Sequence, residues 1–154
     1  DMEIRLFKIE DAIETAQVIA ETLRVSNSQD YSSEYIEANI ASHSPEVLIA
    51  RANEGHMYVV CDNSRIVGCG AIAGYWGSLT ESILLTIFVL PDYQGKGIGK
   101  RIVNRLIDHI KSASMPGTGV EVGLTAVKGK EPFYEKLGFS LSSSGMKRWI
   151  DIDV

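Results

Sequence analysis

Polar and apolar residues alternate over residues 3–9 of the chain, and this period of two predicts a half-buried β-strand. Within 11–24 the apolar residues instead recur at the spacing of one helix face, which predicts an amphipathic helix. A polar stretch at 26–30 separates it from a second helix, expected to begin near residues 32–33 and to end before Pro45. Three side chains of this second helix should point inward: Tyr35, Ile36 and Ile40.

The middle of the chain has the pattern of strands. Residues 56–62 and 65–74 are predicted to form two strands of a hairpin, because the polar sequence 62–64 between them is typical of a tight turn. Residues 82–90 form a continuous apolar run rich in branched side chains, which predicts a strand buried on both faces. The apolar positions of residues 100–111 then return to helical spacing.

The last part of the chain adds short elements. Residues 120–127 are predicted to form a strand, and residues 131–137 a helix that ends at the following glycine. Two further strands are expected at 139–141 and 147–152. This order of elements, without an internal repeat, predicts a mixed α/β or α+β fold.

Length and composition fit one domain over residues 1–154. Hydrophobic residues make up 45% of the chain, which is ample for the core of such a domain. The net charge of −5 argues against nucleic acid as the main partner, because phosphate binding needs a basic surface. No apolar run approaches the ~20 residues that cross a bilayer, and the charged first residues do not resemble a signal peptide, so no membrane partner is expected.

The cysteines and histidines suggest neither disulfides nor a metal site. Cys61 and Cys69 both lie in apolar segments, as small hydrophobic residues do in a reducing compartment, and this favours the cytoplasm. The three histidines share no metal-ligand spacing, so no metal is expected.

The most informative segment is 91–100, Pro-Asp-Tyr-Gln-Gly-Lys-Gly-Ile-Gly-Lys, between the apolar strand and the following helix. Its glycines let the backbone approach a ligand with no side chain between them. The start of the helix offers unpaired N–H groups and the positive end of the helix dipole, so the loop should bind a phosphorylated ligand. Lys96, Lys100 and Arg101 add local positive charge to an acidic chain.

Two common phosphate loops do not fit this segment. A nucleotide P-loop would need glycine where Gln94 stands, and serine or threonine where Arg101 stands. A dinucleotide loop would need a third glycine at the position of Lys100. A loop for the pyrophosphate of coenzyme A is the remaining interpretation.

The pattern Gln-x-x-Gly-x-Gly, formed by Gln94, Gly97 and Gly99, resembles the acetyl-CoA signature of the GNAT superfamily of N-acetyltransferases. A second motif at 132–139, Pro-Phe-Tyr-Glu-Lys-Leu-Gly-Phe, is similar to another segment of that family. The order of elements matches over nearly the whole chain. The resemblance implies a largely antiparallel central sheet, flanked by helices and splayed where acetyl-CoA, the acetyl donor, enters.

The resemblance also implies roles for individual residues. Tyr134 matches the family position whose hydroxyl protonates or holds the departing CoA thiolate, and backbone N–H groups near Val89 would polarise the thioester carbonyl. The backbone of the central strand would pair with the pantetheine arm, and the glycine loop would hold the pyrophosphate. The implied cofactor-binding residues are Ile87, Phe88, Val89, Gln94, Gly95, Lys96, Gly97, Ile98, Gly99 and Lys100.

One position departs from the family. Many members carry asparagine seven residues before the tyrosine, in contact with the pantetheine arm, whereas this chain has Val127. Either that contact is lost, or a neighbouring lysine, Lys128 or Lys130, reaches the cofactor instead.

An amine acceptor must lose a proton to react. A lysine-like amine with a pKa near ~10.4 is neutral in about one molecule per 2,500 at pH 7, so a base is useful. Glu81 is the candidate, on one strand face with residues 83, 85, 87 and 89 if no bulge intervenes. It would be a displaced substitute, because relatives with a carboxylate base carry it near position 83. Glu121 is a weaker candidate, and backbone carbonyls with water are a third alternative.

The acceptor pocket of this family is built from the first two helices and their connection, here residues 25–35, which suggests Tyr31 and Glu34 as polar contacts and Trp76 opposite them. The predicted function is transfer of acetyl from acetyl-CoA to a primary amine of a small molecule, in a ternary complex. A protein N-terminus or lysine as acceptor, and a CoA-binding sensor without turnover, are the alternatives. The oligomeric state is left open, with a homodimer as one alternative.

Overall fold

A computed structural model of the chain describes residues 2–74, 81–143 and 145–153. The strands are β1 (Met2–Leu6), β2 (His56–Asp62), β3 (Arg65–Gly74), β4 (Glu81–Val89), β5 (Gly119–Leu124), β6 (Ser140–Ser142) and β7 (Gly145–Asp151). The helices are α1 (Ala12–Ser26), α2 (Ser33–Ala41), α3 (Pro45–Glu54), α4 (Ile98–Ala113) and α5 (Glu131–Glu135). Single 3₁₀ turns precede α1 and follow β4.

The strands form one seven-stranded sheet in the order β1-β2-β3-β4-β5-β7-β6. All neighbours in the sheet pair antiparallel except β4 and β5. These two strands are parallel and pair only from Glu81 with Glu121 to Ile83 with Gly123, after which they diverge. The predicted fold class, a mixed domain with a largely antiparallel sheet flanked by helices, is confirmed.

Helices cover both faces of the sheet. α1 and α3 pack on one face of β2, β3 and β4, and α4 packs on the other. α4 follows its sequence pattern closely, because one stripe of it is buried and the remainder is mostly exposed. The buried stripe consists of Ile98, Ile102, Val103, Leu106, Ile107 and Ile110.

The structure adds one element to the first half of the chain and corrects one expectation. The second helix ends before Pro45 as predicted, at Ala41. Residues 45–54 form a further helix, α3, that was not predicted: Pro45 occupies its first turn, and the Ser44 hydroxyl caps it by accepting from Val47 N–H. Tyr35 does not point inward: it is 51% exposed and stacks on Tyr31 at 4.7 Å between ring centroids. Ile36 is buried as predicted.

β4 is also not buried on both faces. Only Leu84 and Thr86 of its residues are buried, and the others are partly exposed. A β-bulge interrupts the strand, since Ala71 pairs with Leu85 and Cys69 pairs with Phe88. Residues 81, 83, 85, 87 and 89 were expected to share one face only without a bulge, so this expectation fails.

No helix in the described part of the chain combines the length and apolar character that crossing a membrane requires.

Candidate active site

A cavity of about 490 Å³ opens where β4 and β5 diverge. Residues of α1, β4, the glycine loop and the start of α4 form one side, and the segment before α5 together with α5 forms the other. The lining residues are Thr22, Ser26, Asn27, Ile87, Phe88, Val89, Tyr93, Gln94, Gly95, Gly97, Gly99, Lys100, Val127, Lys130, Phe133 and Tyr134. We call it the larger cavity.

The glycine loop turns into α4 through two left-handed residues. Gly95 and Gly97 have φ of +77° and +82°, values that residues with a side chain rarely adopt, and Gly97 is the residue before the first turn of α4. A Cβ atom added at either position would meet no atom within 4 Å, so the space beside both backbones is open. An N-terminal helix end beside an open glycine backbone fits a phosphate group.

Side chains around the loop fix its shape. The Gln94 amide nitrogen donates to Val89 O and to Ser26 Oγ, both at 2.9 Å, and so ties the loop to β4 and α1. The Tyr93 hydroxyl donates to Asp62 Oδ2 at 2.6 Å, which ties the loop to the β2–β3 hairpin. This hydrogen bond is the main reason that the pKa of Asp62 lies below its ordinary value.

Tyr134 lies on α5 at the opposite wall. It is 9% exposed, and its ring packs edge-on against Phe133 and Phe139 at centroid distances of 5.0 and 6.0 Å. Burial raises the pKa of its hydroxyl to about 12. The Tyr134 hydroxyl is therefore protonated at neutral pH and able to donate a hydrogen bond.

A smaller cavity of about 60 Å³ lies against the paired part of β4 and β5. Glu81 and Glu121 are paired residues of these parallel strands, so their side chains project from the same face of the sheet. Lys147 Nζ lies 2.9 Å from Glu121 Oε1. The lining residues are Glu81, Ile83, Glu121, Gly123, Leu124, Thr125, Met146 and Lys147.

Residues 53–141 match the family model described as acetyltransferase (GNAT) domain. The chain belongs to the GNAT family. This confirms the resemblance that the glycine loop and the second motif suggested.

Individual relatives have diverged in sequence. The uncharacterized N-acetyltransferase MJ1207 of Methanocaldococcus jannaschii is 32% identical over 108 residues, which cover 67% of this chain and 46% of the relative. The L-amino acid N-acyltransferase MnaT of Escherichia coli is 27% identical over 116 residues, covering 67% of this chain and 64% of the relative. The match thus covers less than two thirds of the length of either relative.

A solved structure supports the fold. The PaiA N-acetyltransferase of Thermoplasma acidophilum, solved in complex with coenzyme A, superposes with a TM-score of 0.80. The alignment covers 98% of this chain and 99% of that chain at 23% identity.

Most of the residues assigned to acetyl-CoA on the GNAT resemblance lie together in the larger cavity. Two do not contribute their side chains to its lining. Ile98 is buried in the core at 3% exposure, and Lys96 is exposed with its Nζ atom 5.3 Å from the centroid of the Tyr93 ring. Val127, which replaces the asparagine of many family members, lines the cavity. Of the two neighbouring lysines considered as substitutes, Lys130 lines the cavity and Lys128 does not.

The residues predicted for catalysis and for the acceptor are more dispersed. Glu81 lines the smaller cavity, whereas Tyr134 lines the larger one. The Tyr31 hydroxyl accepts a hydrogen bond from Lys128 N–H at 3.0 Å, so it links the α1–α2 connection to the loop before α5. Glu34 is exposed on α2 and is not among the described lining residues of either cavity. Trp76 lies outside the described residues.

Sequence reasoning missed three contributors to the larger cavity, Thr22, Tyr93 and Phe133, and it placed Ser26 and Asn27 in the acceptor pocket. Tyr93 and Phe133 could have been found, since each lies inside one of the two motifs. Thr22, within α1, carries no motif, and only the packing of α1 against β4 brings it to the site.

Proposed function

We propose that this protein transfers the acetyl group of acetyl-CoA to a primary amine of a small molecule by direct attack in a ternary complex. One observation carries the proposal: a single cavity runs from the open glycine loop to a protonated, buried tyrosine. Such a cavity suits a long ligand with a phosphate at one end and a reacting group at the other.

The donor would bind mainly through the backbone. N–H groups of residues 95–100 would hold its pyrophosphate, helped by the charges of Lys100 and Lys130 on the cavity wall. The pantetheine arm would lie along residues 87–89, where β4 has diverged from β5 and a ligand can take the place of a strand. N–H groups of this stretch would polarise the thioester carbonyl.

Tyr134 would serve the leaving group. The amine nitrogen attacks the carbonyl carbon, a C–N bond forms, and the C–S bond breaks. The thiolate takes the hydroxyl proton of Tyr134, which solvent later replaces, and the nitrogen loses its extra proton to water or to a carboxylate. Because the pKa of Tyr134 is raised to about 12, the residue holds the proton that this step needs across the physiological range.

The acceptor would approach from the smaller cavity. Glu81 and Glu121 place two carboxylates at its wall, and Lys147 is bonded to Glu121. These carboxylates attract a protonated amine, and Glu81 is suited to accept its proton directly or through water. The relatives include both acceptor classes, since MnaT is named for L-amino acids and a Haemophilus influenzae relative for the alanine of ribosomal protein bS18, so the two carboxylates carry the choice of a small amine.

The first test is calorimetric titration of acetyl-CoA into the protein and into G97E. Glutamate at this position would strain a backbone with φ of +82° and place a negative charge at the phosphate site. Micromolar binding to the wild type, weakened by at least about a hundredfold in G97E, supports the donor site. Absence of binding to the wild type refutes it.

The second test is a panel of amines and amino acids, with CoA release read by a thiol reagent. Turnover of a small amine supports the proposal. Turnover only with peptides that have a free N-terminal amine or a lysine would show that the acceptor is a protein rather than a small molecule. Binding of acetyl-CoA without turnover of any amine would favour a CoA-binding sensor.

A further inference from the structure

The bulge in β4 includes Thr86 in a left-handed backbone conformation, which a β-branched residue such as threonine rarely adopts. Gly70 faces two residues, Thr86 and Ile87, because the register shifts between Ala71 and Cys69. Thr86 has φ of +58°, and a branched side chain in this left-handed region is a genuine outlier. Such a conformation persists only where the surrounding structure holds it.

Two neighbouring elements hold Thr86. Arg51 of α3 donates from Nη1 to Thr86 Oγ1 at 2.8 Å, and the Cys69 thiol of β3 donates to Thr86 O at 3.2 Å. Thr86 is 7% exposed, so water competes little for its hydroxyl. Arg51 forms no ion pair with a carboxylate in the described ranges, which leaves the hydroxyl as the partner of its charge. Hydrogen bonds from charged donors are stronger than neutral ones.

The bulge decides which way the next residues face. Phe88 packs edge-on against His43 at 5.4 Å, on the side of α2 and α3. The side chains of Ile87 and Val89 instead lie by Gly70 and Gly68, on the side of α4. Residues 87–89 all line the larger cavity, and a shift of register by one residue would turn each of them to the other face.

We propose that Arg51 is a positioning residue that, through its hydrogen bond to Thr86, holds the bulge in the register that presents residues 87–89 to the acetyl donor. The proposal rests on the proposed function for its kinetic consequences. Neither Arg51 nor Thr86 is among the described lining residues of the larger cavity, so both act through the strand rather than on the substrate.

The first experiment compares R51M with the wild type. Methionine keeps much of the side-chain stem and removes the guanidinium. We expect kcat to fall by about tenfold, since small misplacements of reacting groups have effects of this order or larger. KM for acetyl-CoA should change less than kcat does, because the glycine loop that would hold the pyrophosphate is untouched, although the contacts of residues 87–89 with the pantetheine arm are weakened. T86V should reproduce the loss, and T86S, which keeps the hydroxyl, should retain most of the activity.

R105M is the matched control, because Arg105 is exposed on α4 with its guanidinium 4.6 Å from the centroid of the Tyr58 ring and does not line the cavity. Its kcat should equal that of the wild type. Wild-type kcat in both R51M and T86V would overturn the proposal.

A double-mutant cycle with T86G separates positioning from general stability. Glycine adopts positive φ without strain, so the bulge in T86G should need no support from Arg51. Adding R51M to T86G should then cost little further kcat, whereas R51M alone costs about tenfold. An equal loss in both backgrounds would overturn the proposal.

Amide hydrogen exchange of residues 85–89 tests the contact without any turnover. In R51M these amides should exchange at least about tenfold faster than in the wild type, and in R105M they should not change. Unchanged exchange in R51M would overturn the role of Arg51 whatever the reaction. Faster exchange in a protein that acetylates no amine would support that role and refute the proposed function.

Discussion

The larger and the smaller cavity share β4, but the chain builds them in different ways. Most of the larger cavity comes from two contiguous segments, 93–100 and 127–134, added to residues 87–89. The smaller one comes mainly from side chains of three strands that only the sheet register brings together, Glu81 beside Glu121 and Gly123 beside Lys147.

The difference separates two kinds of recognition. The larger cavity offers open backbone at two left-handed glycines, and few substitutions preserve that conformation. The smaller cavity offers charged side chains, of which those of Glu121 and Lys147 are 33% and 37% exposed, and such side chains can be exchanged without altering the sheet. The fold thus fixes the proposed donor site, whereas exchangeable charged side chains determine the chemistry of the proposed acceptor site.

The largest effect is expected for Y134F. Loss of the hydroxyl removes the proton for the leaving thiolate, so kcat should fall by about a hundredfold with little change in KM for acetyl-CoA. The pKa of Tyr134 is raised to about 12, so the acid form persists as pH rises, and the loss should be constant from about pH 6 to 10. Steady-state kinetics by thiol release measures it.

The control for Y134F is Y35F, which removes a hydroxyl from a half-exposed tyrosine outside the cavity lining. Its kinetics should match the wild type. Full kcat in Y134F across this pH range would end the assignment of Tyr134 as the acid.

An intermediate effect is expected for Q94M, which keeps the side-chain length and removes both hydrogen bonds of the Gln94 amide. KM for acetyl-CoA should rise by about tenfold, because each such bond is worth about 1 kcal/mol and together they hold the loop against β4 and α1. kcat should change less. Unchanged donor affinity by calorimetry would show that the loop keeps its shape without Gln94.

The same contrast explains what the sequence can predict. The glycine loop and the α5 motif are local, so both can be recognised in the sequence: the loop predicts a phosphate site at residues 95–100, and the GNAT resemblance implies the role of Tyr134. The hairpin of β2 and β3 is predicted to the residue, since its turn and its strands are adjacent in the chain.

What the sequence did not predict depends on long-range contacts or on one ambiguous residue. Pro45 follows the end of one helix, as predicted, and also occupies the first turn of α3, which was not predicted. The bulge at Thr86 cannot be predicted from the sequence, because residues 82–90 are largely apolar and show no alternation of polar and apolar side chains that a bulge would interrupt. The approach of Glu81 to Glu121 follows from a parallel register that no local pattern specifies.

The smallest effects should distinguish the two glutamates of the smaller cavity. E81Q should lower kcat/KM for a cationic amine by about fivefold, the size of one partly exposed charge interaction, with KM for acetyl-CoA unchanged. E121Q should change kcat/KM by no more than about twofold, because the charge of Glu121 is already offset by Lys147 at 2.9 Å. Both are measured with the best amine of the panel at saturating acetyl-CoA. Equal losses in the two variants would mean that the acceptor binds through the total negative charge of the smaller cavity. A larger loss in E121Q would indicate that the acceptor contacts Glu121 on β5 rather than Glu81 on β4.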